Sequence, residues 1–506
     1  MSKQIFRLAI LSLVLLMVGC GEKAEYLNVI PADATMVASI DCESLANQSG
    51  LVTKNATEAQ AQLKSDVLKQ LSVGQADLMG KILEDPTESG IDWRKDAYLF
   101  TLPKTESMAV VVSVADKEKL KFAIEVMGHD QFRGKFNEEQ DCTWAQNRHA
   151  CVALTDKVCI FAEAGRGEKM DSLKAKISTW MTQDEAESFV STKYYKKLTD
   201  VEGDVRVFSM LNELPENISM IASMAYAEDM DISALKYFAG MTFHNGAVQG
   251  QGKILIEDEK MLDWLKDQQD VCQKLKAKTL EKLPLNTPLW VGVGMDGDEL
   301  YDHLLDHPVY GKELKNMRLP FNIEGVIRSV DGDVTLGFPN AFFIDVTNKE
   351  LLKIIVGSAK TMGGLFGISL NEIKEDEYEL VAQRKNLFKW KNFEFKPRLG
   401  MNGNTFYMTS SAAMTEELPK EASLAVAPWA GEVKGNLFFA ALSFEKGLSV
   451  FDDYYFFRHY YRTFKHYFDY ATYSQKDIEH SQFTLSFKDK ERNAFEQLLE
   501  MYVTRL

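Results

Sequence analysis

Beyond its first two dozen residues, the sequence has no charge-free apolar stretch long enough to cross a membrane. A transmembrane helix needs about 20 such residues. Basic residues are also in deficit, with 58 Lys and Arg against 74 Asp and Glu, for a net charge of −16. A surface this acidic repels nucleic acid and anionic head groups. We therefore expect a globular body that does not bind nucleic acid and whose partners are neutral or cationic.

Motifs of known chemistry are missing as well. His303 and His307 lie one helical turn apart, but Leu304 stands where a zinc protease has Glu, and Pro308 follows at once. The segment "DGDEL" at 296–300 lacks the later ligands of a calcium loop. No phosphate-binding loop and no nucleophile elbow occur. The sequence predicts no catalytic residue, no metal site and no cofactor, and carboxylates paired only in space remain as an alternative route to hydrolysis.

The amino terminus has the pattern of a secretory signal. Lys3 and Arg7 precede an apolar run of about a dozen residues, which is too short to span a bilayer. The run ends at Gly19-Cys20, with Leu16 and Val18 upstream, and this pattern resembles a bacterial lipobox. The resemblance implies that residues 1–19 are a signal peptide and that Cys20 carries the lipids. Several acyl chains exceed what stable anchoring requires.

The residues after the cysteine indicate in which membrane the lipid anchor would lie. Gly21 is not the Asp that, in the enterobacterial sorting rule, retains a lipoprotein at the inner membrane. We therefore expect an anchor in the outer membrane, and less readily in the inner one. Whether the body faces the periplasm or the medium stays open.

Five cysteines remain once Cys20 is set aside, and the odd number leaves at least one without an intramolecular disulfide partner. In "CTWAQNRHAC" a turn at Gln146-Asn147 would place Cys142 opposite Cys151. A disulfide between these two is one interpretation. A small buried hydrophobic residue is the commoner role of such a cysteine.

The chain contains an internal duplication. Three pairs of segments match in the same order, at offsets that vary as loop lengths would: 30–41 with 283–294, 114–124 with 346–356, and 153–162 with 400–409. The pattern predicts a tether over 20–29, a first module over 30–275 and a second module over 280–506.

Each module is predicted to be α+β, a mostly antiparallel sheet with helices packed on it. Short apolar strands such as "MAVVVSV" alternate with segments whose apolar residues recur every three or four positions. Asp116 is the expected N-cap of the helix that follows that strand. The pairs Asn402-Gly403 and Asp331-Gly332 are expected at hairpin turns.

The segment "YLNVIPADATMVASIDCESLANQSGL" at 26–51, followed by "SGIDWRKDAYLF" at 89–100, resembles an uncharacterised family of lipoproteins from Bacteroidetes-type bacteria. That family is defined by a domain of unknown function. The resemblance supports the predicted lipid-anchored location and implies no activity, cofactor or catalytic residue.

The most unusual segment is 451–473, in which twelve of twenty-three residues are Phe or Tyr. Its spacing predicts an amphipathic helix. Phe456, Tyr460, Tyr467 and Tyr470 lie between the apolar and charged stripes, where their rings would stack on a sugar or hold an apolar ligand. The alternative is that the helix only packs on the sheet of the second module.

One further site is predicted from a three-residue pattern. Ser172, in "DSL", fits a short motif for O-glycosylation in periplasmic proteins. Taken together, the sequence predicts a membrane-anchored envelope protein that binds or scaffolds a protein or glycan partner. The alternatives are ligand capture, by the aromatic segment or by a cleft between the modules, and an envelope hydrolase.

Overall fold

The computed structural model describes residues 25–52, 56–102, 107–128, 132, 135–139, 142–165, 167–211, 235–307, 310–316, 322–338, 341–366, 368–382, 389–390, 393–394, 397–409, 418–445 and 462–505. These residues form two compact units. The first runs to Glu257 and resumes at Asp489, and the second is Asp258–Lys488. Both units combine helices with an antiparallel sheet, so the predicted α+β class is confirmed.

Ten strands form the sheet of the first unit: β1 (Met36–Ile40), β2 (Ala97–Thr101), β3 (Met108–Ser113), β4 (Asn137–Glu139), β5 (Cys142–Gln146), β6 (Ala150–Leu154), β7 (Val158–Glu163), β8 (Val205–Met210), β9 (Leu235–His244) and β10 (Ala247–Ile256), counted over the described residues. Their order across the sheet is β4-β5-β6-β7-β3-β2-β1-β8-β9-β10. Each neighbouring pair is antiparallel.

The strands of the second unit are β11 (Cys272–Gln273), β12 (Leu289–Asp296), β13 (Val330–Phe338), β14 (Ala341–Val346), β15 (Ile368–Lys374), β16 (Glu377–Ala382), β17 (Lys389–Trp390), β18 (Phe393–Glu394), β19 (Arg398–Asn402), β20 (Thr405–Thr409), β21 (Phe438–Ser443), β22 (Phe468–Gln475) and β23 (His480–Phe487). The main sheet has the order β15-β16-β19-β20-β14-β13-β12-β21-β22-β23, again antiparallel. β11 joins β12, and β17 pairs with β18.

The two sheets share one strand order. When β11, β17 and β18 are left aside, each strand of the second unit occupies the sheet position of the strand with the same rank in the first. A short bridge before the first main strand also recurs, as Pro31 with Ser188 and as Pro284 with Ser423. That the units are copies of one module stays a prediction, and the shared order supports it.

Twelve helices accompany the strands in the described residues: α1 (Cys42–Gln48), α2 (Glu58–Lys69), α3 (Val73–Glu84), α4 (Lys117–Met127), α5 (Met170–Thr182), α6 (Lys193–Thr199), α7 (Glu259–Asp270), α8 (Gly297–Asp306), α9 (Tyr310–Asn316), α10 (Ile323–Arg328), α11 (Glu350–Phe366) and α12 (Ala494–Arg505). A further helical turn covers 462–467. Asp116 caps α4 as predicted, accepting a hydrogen bond from the Lys119 N–H at 3.0 Å. No described helix is both long and apolar enough to cross a membrane.

Each sheet has an apolar cluster on both of its faces. In the first unit one cluster includes Val37, Phe100 and Phe208, and the other includes Leu120 and Ile124 of α4. In the second unit one cluster is built around Trp290, Trp429 and Phe439, and the other around α11. Alternating burial along β12 follows from this two-sided arrangement, because successive side chains of a strand point to opposite faces.

The boundaries of the two units differ from the predicted ones. Residues 258–275 belong to the second unit, and 489–506 to the first. The apolar side of α12 explains the second difference, since Phe495, Leu499 and Val503 pack in one cluster with α2 and α3. Arg492 and Glu496 add an ion pair at 2.7 Å, and Gln60 of α2 donates to Glu496 at 2.9 Å.

Two predicted turns are placed differently. Asn402 pairs with Thr405, so the tight turn is Gly403-Asn404, one residue later than expected. Asp331-Gly332 lies inside β13, where the register with β14 shifts. A bulge rather than a hairpin forms there, because Asp333 turns inward to accept hydrogen bonds from the backbone of Lys276 and Ala277 at 2.8 and 2.7 Å.

Of the two interpretations of Cys142 and Cys151, the disulfide is wrong. Both thiols are free, and Cys151 pairs with Gln146 rather than with Cys142. Cys142 lies four residues further along β5, about 13 Å away at the usual strand rise. A disulfide requires Cα atoms within about 7 Å. Burial raises the pKa of Cys151 to about 12, so this thiol behaves as a small hydrophobic residue.

Candidate functional site

The predicted aromatic helix is wrong in its last six residues, 468–473. Residues 468–475 form β22, and only 462–467 are helical in the part of this segment that the structure describes. Tyr467 is buried, so it does not face solvent as predicted, and Tyr470 packs against the cluster around Trp290. Phe456 and Tyr460 lie outside the described residues. Ligand binding by these four residues stays a prediction.

Of the two predicted modification sites, only Ser172 lies among the described residues. Cys20 lies outside the described residues, and its lipidation stays a prediction. Ser172 is exposed in the first turn of α5, next to the fully buried Leu173. Its glycosylation likewise stays a prediction.

His303 and His307 lie where the sequence placed them, near the carboxyl end of α8. The His307 ring stacks near Tyr310, with centroids 4.4 Å apart, and its Nδ1 accepts from the Tyr310 N–H at 3.3 Å. Burial and the nearby His307 lower the pKa of His303. Within the described ranges, no three His, Cys, Asp or Glu side chains are placed to hold a metal ion.

The most extensive feature of the second unit is a row of apolar side chains that crosses its sheet. Residues directly opposite each other on antiparallel strands share a face. The strand registers connect nine apolar residues in this way, one on each of nine strands, and we call them the apolar row: Tyr378, Leu399, Met408, Phe342, Leu336, Val291, Ala440, Tyr473 and Phe483.

Much of the apolar row is exposed. The exposed fractions are 42% for Met408, 41% for Leu336, 42% for Tyr473 and 37% for Phe483. At the other end of the row α11 covers the sheet, and Leu399 there is fully buried. The exposed part therefore extends from β20 to β23.

Most flanking positions on the same face are apolar, although Gln475 and Ser481, which continue one side of the row on β22 and β23, are polar. On one side of the row Val293 lies opposite both Val334 and Phe438, and the Phe438 ring meets the Tyr473 ring edge to face at 6.0 Å. On the other side the registers connect Phe338, Leu289, Leu442, Ala471 and Leu485. The result is a patch without a charged side chain at these positions. Monomeric proteins rarely expose a large contiguous patch of this kind unless it binds something.

The first unit lacks the aromatic end of this row. Val207 of β8 lies opposite Ala239 of β9, which lies opposite Gly252 of β10. By strand order and register, Ala239 corresponds to Tyr473 and Gly252 corresponds to Phe483. The shared sheet therefore does not require large aromatic residues there, and their presence is particular to the second unit.

The first unit instead contains a buried polar cluster beside β1. Arg206 forms an ion pair with Asp96, and the side chains of both are 18% exposed. Ser39 donates to Asp96 Oδ2 at 2.6 Å, and Arg206 Nη2 donates to Ser39 Oγ at 3.1 Å. Burial raises the pKa of Asp96, against the smaller opposing effects of Ser39 and Arg206. Tyr26 closes the cluster by donating from its hydroxyl to the Asp96 carbonyl at 2.7 Å.

Buried carboxylates of the second unit hold its backbone in place. Asp333 accepts two backbone N–H groups, as described above, and burial raises its pKa. Asp345 accepts from the Thr405 hydroxyl at 2.7 Å and from the Asp333 N–H at 3.4 Å. Both acids are thus engaged in structural hydrogen bonds, and this arrangement gives no support to a hydrolase that uses this pair.

The fold and the patch place the chain in a broad class. It is an α+β protein of two units, each with an antiparallel sheet, and the sheet of the second unit has an exposed apolar face. The chain belongs to the family described as a domain of unknown function, DUF4836, whose model matches residues 26–495. No curated protein matches it. Solved structures with some similarity are crystal forms IV, III and I of TP0453, each with a TM-score of 0.27 and 10–12% identity. They cover 47–50% of this chain and 84–88% of TP0453.

Proposed function

We propose that this chain is a lipid-anchored protein of the bacterial outer membrane that binds a partner protein through the apolar row of its second unit. The anchor is Cys20, and the body is a scaffold rather than an enzyme. The observation that carries the proposal is the exposure of Leu336, Met408, Tyr473 and Phe483 on one face of one sheet.

The chemistry of the patch favours a protein as the occupant. Interface cores are enriched in aromatic residues and Met and depleted of charge, as this patch is. Tyr473 and Phe483 are rigid rings that give a large contact area at a low cost in entropy.

The net charge of the chain further restricts which proteins could be the partner. With a net charge of −16, two copies of this chain repel each other, and an anionic membrane surface repels it as well. A different protein with an apolar surface surrounded by neutral or basic residues meets both requirements. We therefore infer a heterologous partner in the cell envelope.

The test is the double substitution Tyr473→Ala with Phe483→Ala, which gives the row the small side chains that the first unit has at these positions. Native electrophoresis of mildly solubilised membranes should show the wild-type chain in a complex larger than itself and the double variant released from it. Removing two aromatic residues from an interface costs about 2–4 kcal/mol, or roughly 30- to 1000-fold in affinity.

The matched control is Phe122→Ala, because Phe122 is a 56% exposed aromatic residue on α4 of the first unit and is not a member of the row. It should leave the complex intact. An unchanged complex in the double variant would refute the proposed site. If the purified chain alone forms the larger species, the occupant is a second copy and the heterologous partner is wrong.

A further inference from the structure

The apolar patch around the apolar row is narrow. Across the sheet it spans five neighbouring strands, from Leu336 on β13 to Phe483 on β23, or about 19 Å at the usual strand spacing. Along β21 it takes up three positions, Phe438, Ala440 and Leu442, or about 14 Å. Its outline is therefore about 270 Å², whereas a globular interface of standard size buries about 800 Å² of each partner. A slender element of the partner fits this area better than a broad globular surface.

That element cannot pair with the sheet as an added strand. β12 is paired with β13 and β21, and β22 is paired with β21 and β23, so the backbone hydrogen bonds of these strands are made within the sheet. Strand addition needs an unpaired sheet edge. The partner must therefore contact the patch through side chains, as an amphipathic helix does when it lies on an apolar surface.

The chain itself covers the other end of the apolar row with a helix. Four apolar side chains of α11 pack in one cluster with three members of the row. The helix supplies Leu351, Leu352, Ile355 and Val356, and the row supplies Phe342, Tyr378 and Leu399. The four helical residues lie on one face of α11. Packed helices lie about 8–10 Å apart, so the open width of about 19 Å has room for a further helix beside α11.

In the first unit the corresponding face is closed by a helix. Leu99 lies opposite Ala38 as Leu336 lies opposite Val291, so Leu99 occupies the sheet position of Leu336. Leu99 packs in one cluster with the fully buried Leu120 of α4, whereas Leu336 is 41% exposed. A helix is thus the element that packs on this sheet face in both units.

We propose that the element bound by the apolar row is an amphipathic helix of the partner protein. The inference rests on the proposed function and specifies which part of the partner makes the contact. The helix needs about nine residues to cross 14 Å at 1.5 Å per residue, which is between two and three turns. Its apolar stripe lies on the row, and its outer face is neutral or basic because the chain has a net charge of −16.

Cross-linking at measured spacings tests the helix. A photoreactive amino acid is placed, one position at a time, at 438 and 442 along β21 and at 336 and 473 across the strands of the anchored full chain. The two positions of each pair lie about 14 Å apart. This distance corresponds to about nine residues of a helix but only about four residues of an extended segment. Mass spectrometry of the adducts locates the linked residues of the partner.

We expect the pair that lies closer to the helix axis to mark two residues six to ten positions apart in one continuous segment. A synthetic peptide of that segment should bind the purified full chain and gain helical circular dichroism on binding. Replacing a central residue of its outer face by Pro should weaken binding by about 100-fold, because Pro breaks a helix. Replacing the same residue by Ala is the matched control and should leave the affinity unchanged.

The outcomes separate this inference from the proposed function. Linked residues no more than four positions apart, linked residues scattered over separate segments, or a peptide that tolerates Pro would overturn the helix and leave the apolar row as a protein-binding surface. Adducts with lipid alone, or no protein adduct from any of the four positions, would refute the proposed function and the helix together.

Discussion

Replacing Arg206 by Met is expected to destabilise the first unit by about 3–5 kcal/mol at neutral pH. The substitution keeps most of the side-chain volume but leaves Asp96 buried without its cation. Removing one partner of a buried ion pair is costly because the remaining charge has neither water nor a counter-ion. Urea denaturation of the wild type and the variant measures the difference.

The loss should depend on pH in a definite direction. Burial already raises the pKa of Asp96 above its usual value near 3.8, and removal of Arg206 raises it further. A group whose pKa is higher in the folded state contributes stability below its unfolded pKa and loses that contribution as pH rises through its folded pKa. The free energy of unfolding of the variant should therefore approach the wild-type value in acid and fall below it as the pH rises towards neutrality.

The control for this prediction is the double variant Asp96→Asn with Arg206→Met, which removes both charges. It should recover most of the lost stability and lose the pH dependence, because no buried charge remains. If the free energy of unfolding of Arg206→Met alone lies within about 0.5 kcal/mol of the wild-type value at pH 7, the ion pair does not stabilise this cluster.

The substitution Cys20→Ala is expected to abolish membrane retention. Without the thiol no acyl chain can be attached at this position. Fractionation should move the chain out of the membrane pellet, and metabolic labelling with a fatty acid should lose its signal. Cys272→Ala is the matched control, because it removes a half-buried thiol of the second unit and should leave labelling intact. A Cys20→Ala chain that stays in the membrane fraction with unchanged processing would contradict the lipobox.

Local features were the most predictable from the sequence. The strands over 97–101 and 108–113 are short β-branched and aromatic runs, and α4 begins where Asp116 predicts it. These features depend on neighbouring residues, and so a linear pattern carries them.

The aromatic segment shows why a pattern can mislead. Phe and Tyr favour strands as readily as they occupy the apolar stripe of a helix, and residues 468–475 are matched on both sides by β21 and β23. That pairing is a tertiary effect which helical spacing does not reveal. Tyr467, the last residue of the helical turn before that strand, is buried instead of facing solvent.

The candidate site itself could not be assembled from the sequence. Leu336 and Phe483 are 147 positions apart, and only the registers through Val291, Ala440 and Tyr473 place them in one row. The Arg206–Asp96 pair is separated by 110 residues in the same way. A single exposed apolar residue is common on protein surfaces and indicates no site by itself. These residues indicate a binding surface only because the fold brings them together on one face of the sheet.

The most direct test of the central claim places a photoreactive amino acid at position 473 of the anchored chain. Irradiation of intact cells should give one adduct of defined mass that contains a second, different protein, and the same probe at position 122 should give none. Adducts of equal yield and identity from both positions, or an adduct formed only with another copy of this chain, would contradict the account.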